Sequence, residues 1–227
     1  MSLDMEFIIP LLTIISIDII LGGDNAIVVA LACRNLPTNI RNKAIFLGIG
    51  LAIVARITLT ILAVSLLNIP FLMAIGGALL LYISYHLLTD MEDDRAVQGK
   101  TTVIAAIKTI IIADIVMGFD NVLAVAGAAH GNKTLVIIGL LVSVPIIIWG
   151  SKIILYAIER FPIIIYIGAG ILAYTATKMI IHEPMFSALF SHHPVISVLL
   201  QITAIIAVIL LGWLSNYFKK RTFEIKL

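Results

Sequence analysis

The chain has 227 residues, 61% of them hydrophobic, with 15 lysines and arginines against 13 aspartates and glutamates and a formal net charge of +2. Its mean hydropathy is +1.15, and charged residues make up 12% of it, where a soluble domain carries about 25%. A soluble globular fold is excluded, and the chain reads as a polytopic membrane protein in contact with the lipid bilayer.

A membrane-spanning helix needs roughly 20 mostly apolar residues. Seven stretches meet that length: about 8 to 32, 43 to 67, 70 to 89, 102 to 129, 134 to 158, 162 to 181 and 195 to 218. Spanning strands would show weak alternation in short segments rather than unbroken apolar blocks, so the class is all-α, with seven transmembrane helices. No cleavable signal peptide is expected, because Met1 to Glu6 is acidic and the first apolar run is long enough to stay in the membrane. The single cysteine, Cys33, excludes an internal disulfide and a thiolate metal cluster within one chain.

The first stretch contains SIDIILGGDNAIVVALA (16 to 32), with two acids where the solvent is lipid. The fourth contains IADIVMGFDNVLAVAGA (112 to 128), identical at eight of the seventeen positions, among them Asp18 with Asp114, Gly22 with Gly118, Asp24 with Asp120 and Asn25 with Asn121. At an offset of 92, the third stretch (IPFLMAIGGALLLY, 69 to 82) matches the sixth (FPIIIYIGAGILAY, 161 to 174). Stretches one to three (repeat one, about 7 to 89) and four to six (repeat two, about 102 to 181) therefore form two copies of one unit within a single transmembrane domain, 1 to 227. The polar linker 90 to 100 joins them, and the seventh helix, about 195 to 218, is an extra. Three spans per copy invert the second copy in the membrane, a 3+3+1 inverted repeat of the kind in which substrate and coupling-ion sites sit near the midplane at interrupted helices. Gly22 and Gly23 in one copy and Gly118 in the other, each just before an Asp-Asn pair, are the expected interruptions.

Lysine and arginine fall mostly on one side: Arg34, Arg41, Lys43, Arg95, Lys100, Arg160, Lys219, Lys220, Arg221 and Lys226, against Lys133 and Lys178 near the other helix ends. The positive-inside rule then places the C-terminus in the cytoplasm and the N-terminus outside. The linker is expected to be a solvated cytoplasmic loop, and no basic patch interleaved with aromatics suggests nucleic acid.

An ionised aspartate at the bilayer centre costs about 2.5 to 3.5 kcal/mol on insertion scales, so Asp18, Asp24, Asp114 and Asp120 need partners. Arg56 in the second stretch and Lys152 in the fifth are the intramembrane cations; both are expected to balance charge in comparable places. Four acids against two cations leave an excess of two negative charges, which suits one divalent cation or two protons. Carboxylates, the amides of Asn25 and Asn121 and carbonyls freed at a helix break make an all-oxygen set, fitted to Mn²⁺, Mg²⁺ or Ca²⁺ rather than to a soft metal, with manganese preferred. The alternative, that the acids only lock helix packing, does not explain why Gly-x-Asp-Asn occurs twice. His182, Glu183, His192 and His193 before the last helix form a second, weaker candidate for metal capture. His86 and Lys178 suit interfacial positions, and Thr58, Thr60 and Ser143 either line a path or bond a carbonyl one turn back. No nucleophile elbow, phosphate-cradling glycine loop or HExxH helix is present, so no enzymatic activity is expected, and an ion gradient is the expected energy source.

These residues resemble a known family. LGGDNAIVVALACRNLP and its echo MGFDNVLAVAGAA look like the signature segments of the TerC family of integral membrane proteins, and the short form with two repeated triplets resembles its YjbE-type metal transport proteins; the wider relatives include LysE-type exporters. The resemblance implies manganese efflux across the bacterial cytoplasmic membrane, with Asp24 and Asp120 at the metal site, Asn25 and Asn121 beside them, and Asp18 and Asp114 completing the shell or carrying protons. It also implies links, in some members, to secretion machinery that receives metal. The combined expectation is a secondary exporter of Mn²⁺ or another divalent cation with proton exchange. Its rivals are an exporter of amino acids or organic cations of the LysE type and a membrane factor supplying metal to secreted proteins. A homo-oligomer packed through the glycine-rich third and sixth helices is also open.

Overall fold

The computed structural model describes residues 2–62, 69–89, 99–129 and 131–224. Among them are nine helices and no strand: α1 (Ser2–Leu21), α2 (Gly23–Cys33), α3 (Thr38–Ile61), α4 (Leu72–Thr89), α5 (Gly99–Ala128), α6 (Lys133–Arg160), α7 (Ile163–Ile181), α8 (Pro184–His192) and α9 (Pro194–Glu224). Five of these are long and apolar enough to cross a membrane, and a sixth span results if α1 and α2, bent by 47° at their junction, count as one. The stretch expected at 102 to 129 lies within α5, whose 30 residues extend about 45 Å at 1.5 Å per residue. Most of the acidic linker, and residues 63–67 at the end of the second stretch, lie outside the described residues.

The helices are built for lipid. Along α3, Ala44, Gly48, Ala52 and Arg56 are buried, while Phe46, Leu47, Leu51 and Val54 are at least half exposed. Arg56 and the small residues face protein together with Ile45, Ile49 and Ile53, because the interior offers the guanidinium hydrogen-bond partners that hydrocarbon lacks. The helix begins at Thr38, ahead of the apolar run, after Pro37 with φ −53° and ψ 141°. Proline fixes φ and suits a helix entry, so the polar turn TNIRNK is helical although hydropathy alone does not mark it.

The chain divides into two compact units. The first comprises Met1–Pro70 and Gly99–Tyr156, and in it α5 is the central helix, packing most extensively on α3 and also on α2 and α1. Its apolar core includes Ile14, Val125, Leu135, Val136 and Leu140. The second comprises Phe71–Gln98 and Ala157–Leu227. Here α4 packs on α7, and α9 lies against both. Close approach is secured by small residues: a Cβ on Gly77 would lie 2.5 Å from the Ala176 carbonyl oxygen, and Ser84 Oγ donates to the Ala169 carbonyl at 2.7 Å, the small-residue packing usual between helices in lipid. Only 11% of the apolar stretch of α9 is buried, so this helix packs at the margin of its unit. The helices that carry matching sequence segments share a unit: α1 and α2 with α5 in the first, and α4 with α7 in the second.

Candidate functional site

The site is in the first unit and starts from a helix break. α1 ends at Leu21 and α2 starts at Gly23, with Gly22 between them at φ −92° and ψ 2°. A Cβ at Gly22 would collide with the backbone oxygen of Asp18. Glycine therefore permits the chain to turn tightly over the last turn of α1, and Asp18 and Asp24 fall on different helices.

Asp18 on α1 is 1% exposed, Arg56 on α3 is 2% exposed and Asp114 on α5 is 9% exposed. Arg56 joins the two acids. Its Nη1 donates to Asp18 Oδ1 at 2.5 Å; its Nε donates to Asp114 Oδ2 at 3.2 Å, and Nη2 donates to Asp114 Oδ1. The Asp114 contact is the two-pronged fork that guanidinium geometry favours. Ser143 on α6 donates to the second oxygen of Asp18. A guanidinium does not shed its proton in proteins, so one Arg at this depth requires a counter-charge. It has two carboxylates, so with both ionised the cluster carries one net negative charge.

Asn25, three residues past the break, is 4% exposed. Neither its amide nitrogen nor its amide oxygen has a hydrogen-bond partner. It lines a cavity of about 20 Å³ together with Arg56 and Asp114, and the other walls are Val, Ile and Ala side chains. That is room for one water-sized ligand. Asn121 is 5% exposed. Asp24 is half-buried in the first turn of α2, where the helix dipole favours a carboxylate. Asp120 lies within α5, and its side chain is outside the described residues.

Three sequence expectations meet a different structure. The break expected at Gly118 is absent: α5 runs unbroken from Gly99 to Ala128. The first copy has Gly22-Gly23 where the second has Gly118-Phe119, and one isolated glycine costs a helix only about 1 kcal/mol against alanine. Lys152 does not balance charge beside Arg56. It is exposed, with Nζ 5.4 Å from the centroid of the Phe46 ring. A flexible lysine reaches along apolar surface to an aromatic face more readily than a guanidinium anchored by two acids leaves its pocket. The His182, Glu183, His192 and His193 group does not converge: among the described residues no three His, Cys, Asp or Glu side chains come together as metal ligands.

Glu183 instead turns inward at 1% exposure. Its Oε1 accepts from the Phe71 amide at 3.0 Å, and its Oε2 accepts from the Met73 and Ala74 amides at 3.1 and 3.2 Å. It thus caps α4, whose entry residue Phe71 is left-handed at φ 61°. His182, His192 and His193 stay exposed. Thr58 and Thr60 bond the carbonyls one turn back, of Val54 and Arg56, and Ser143 is within reach both of the Leu140 carbonyl one turn back and of Asp18. Of the three hydroxyls Ser143 is the one that contacts the triad's carboxylates, and in sequence nothing but its presence in an apolar run marked it.

The fold and this cluster define a class: a multi-pass α-helical membrane protein organised around a buried carboxylate–guanidinium–carboxylate triad. The chain belongs to the integral membrane protein TerC family, whose pattern it matches over residues 3–222. It is 49% identical over 208 residues to the uncharacterized membrane protein YjbE of Bacillus subtilis, covering 92% of this chain and 95% of that one. It is 34% identical over 134 residues to the uncharacterized membrane protein YkoY of Bacillus subtilis, covering 56% of this chain and 41% of YkoY. With the UPF0053 inner membrane protein YoaE of Escherichia coli it shares 24% identity over 187 residues, 71% of this chain and 36% of YoaE. No solved structure matches it.

Proposed function

We propose that this protein is a secondary transporter that exports a divalent metal cation, with Mn²⁺ the preferred substrate, across the bacterial cytoplasmic membrane in exchange for protons. Seven spans in an inverted repeat, N-terminus outside and C-terminus in the cytoplasm, are the topology that goes with this reading. The observation that carries it is the pairing of Arg56 with Asp18 and Asp114. Those two acids answer the arginine, and on this reading Asp24 and Asp120, which stand in the Asp-Asn motifs, are carboxylates for the substrate. With Asn25 and Asn121 they supply a hard, all-oxygen donor set carrying two negative charges, matched to one divalent ion. Asp18 and Asp114, the pair that holds Arg56, complete the metal's oxygen shell or carry the protons.

The small cavity beside Asn25, about 20 Å³, favours an ion over the amino acid or organic cation that a LysE-type exporter would carry. Supply of metal to secreted proteins would follow from export and needs no separate site. The test is Mn²⁺ movement by the purified protein in sealed vesicles under a proton gradient. Wild type should move Mn²⁺ and collapse the gradient, and Asp24→Asn and Asp120→Asn should each reduce the flux at least about tenfold, a loss of roughly 1.4 kcal/mol of interaction. Normal flux in both variants would sink the reading, and protein that moves no Mn²⁺ unaided would leave only the metal-supply role.

A further inference from the structure

We propose that Arg56 is a tethered competitor for the transported cation: its guanidinium fills an oxygen site made by Asp18, Asp114 and Asn25, which a divalent cation enters when Arg56 releases Asp114. This deepens the metal-export reading and rests on it.

Three observations converge. Two carboxylates from equivalent places in the sequence repeat meet at a single cation, although the repeat supplies no second arginine, since position 148 is isoleucine. Asn25 is 4% exposed and presents an amide oxygen with no partner, into a cavity of about 20 Å³ bounded by Arg56 and Asp114. A buried amide without partners is costly, and this one lines the same cavity as Asp114, where a bound cation could take its oxygen. Finally, Asp18 and Asn25 are on opposite sides of the Gly22 break, so a change in the bend of 47° alters the reach of one relative to the other.

Charge makes the competition two-sided. With Arg56 in place the two acids retain one net negative charge, whereas a divalent ion in its place neutralises them. A hard divalent cation requires several oxygens at once, and Arg56 occupies both oxygens of Asp114, so the two cations exclude one another. Because the guanidinium keeps its proton, the exchange is a movement of charge. The site is never left as two bare carboxylates in lipid, which prevents an empty carrier from stalling.

The test compares Mn²⁺ binding by wild type, Arg56→Gln and Arg56→Lys, each purified in lipid nanodiscs, by calorimetry and by the thermal stabilisation that Mn²⁺ produces, with wild-type Mn²⁺ flux in vesicles as the reference. Arg56→Gln should bind Mn²⁺ at least about tenfold more tightly than wild type, and adding Asp18→Asn should cancel the gain. Arg56→Lys, whose point charge cannot grip both Asp114 oxygens, should gain about threefold. It carries the test if the glutamine variant does not survive purification. Wild-type flux together with unchanged or weaker binding in the folded variants overturns this inference and leaves the export reading standing. Absence of both Mn²⁺ flux and Mn²⁺ binding overturns the two together.

Discussion

Removing single members of the buried triad should destabilise the protein in a fixed order, because each removal leaves a different charge behind. Arg56→Met leaves Asp18 and Asp114, exposed by 1% and 9%, without their cation. Breaking a buried pair in this sense costs about 3 to 5 kcal/mol, and here two acids are stranded at once. Asp114→Asn is milder: it converts the fork made by Nε and Nη2 into one neutral acceptor, but Arg56 keeps Asp18. Two charge-assisted bonds are weakened, for a loss of about 2 to 3 kcal/mol. Asp18→Asn is mildest. It breaks one ion pair, its amide oxygen still accepts from Ser143 or Arg56, and the remaining Arg56–Asp114 pair is electrically neutral, so the cost is about 1 to 2 kcal/mol. The assay is thermal unfolding of the three purified variants in one detergent without added metal, read as the shift in apparent midpoint. For a chain of this size each kcal/mol moves the midpoint by about 2 to 4 °C. The expected order of loss is Arg56→Met, then Asp114→Asn, then Asp18→Asn. An Asp18→Asn loss equal to or greater than that of Arg56→Met would refute the reasoning, since it would mean that the excess negative charge, rather than the arginine's need for partners, holds the cluster together.

Gly22→Ala and Gly118→Ala, though equivalent in the sequence repeat, should part company. The first forces a Cβ into the Asp18 backbone oxygen, costing about 1 to 3 kcal/mol and reducing Mn²⁺ flux; the second meets only Leu59 Cδ1 at 3.8 Å and should hold or raise the melting midpoint by up to the ~1 kcal/mol of helix propensity. Equal behaviour in the same melting and flux assays would contradict the single break. Glu183→Gln has one oxygen for amides that now use both carboxylate oxygens, so it should lower the melting midpoint by the equivalent of about 1 to 2 kcal/mol, with Glu183→Ala losing about 3 kcal/mol. If this glutamate instead captured metal, stability would hold while Mn²⁺ flux fell. Lys152→Met should leave Mn²⁺ flux near that of wild type, because Lys152 lies on Phe46 and outside the triad; a loss matching Asp24→Asn would return it to the site.

What could be read in sequence was whatever depends on local composition. Apolar runs mark lipid-facing helices because hydrocarbon leaves backbone groups no other partner, and acids within such runs stand out because their cost must be met by something. The need for Arg56 to meet intramembrane aspartates follows from that cost alone. Its pairing with Asp18 and Asp114 in particular does not, for it depends on which turn of α3 faces which turn of α1 and α5, a matter of packing between residues 38 and 58 positions apart. Sequence symmetry likewise overstates structural symmetry. The two segments share the Gly-x-Asp-Asn pattern, with Gly23 in one against Phe119 in the other, yet one sits beyond a bend of 47° and the other within an unbroken run of helix. Glu183 shows the same limit from the other direction: its neighbours His182 and His192 suggest a metal ligand, while its real partners are amides 109 to 112 positions away. The asymmetry has a functional consequence. A carrier with two identical broken helices would have two equivalent hinges, whereas of the two motifs only the first follows a break, placed between the acid that holds Arg56 and the amide that faces the cavity. On the proposed reading, motion at Gly22 would change the distance between those two groups directly, and the glycine pair, rather than the repeat as a whole, is where metal entry and arginine release would be coupled.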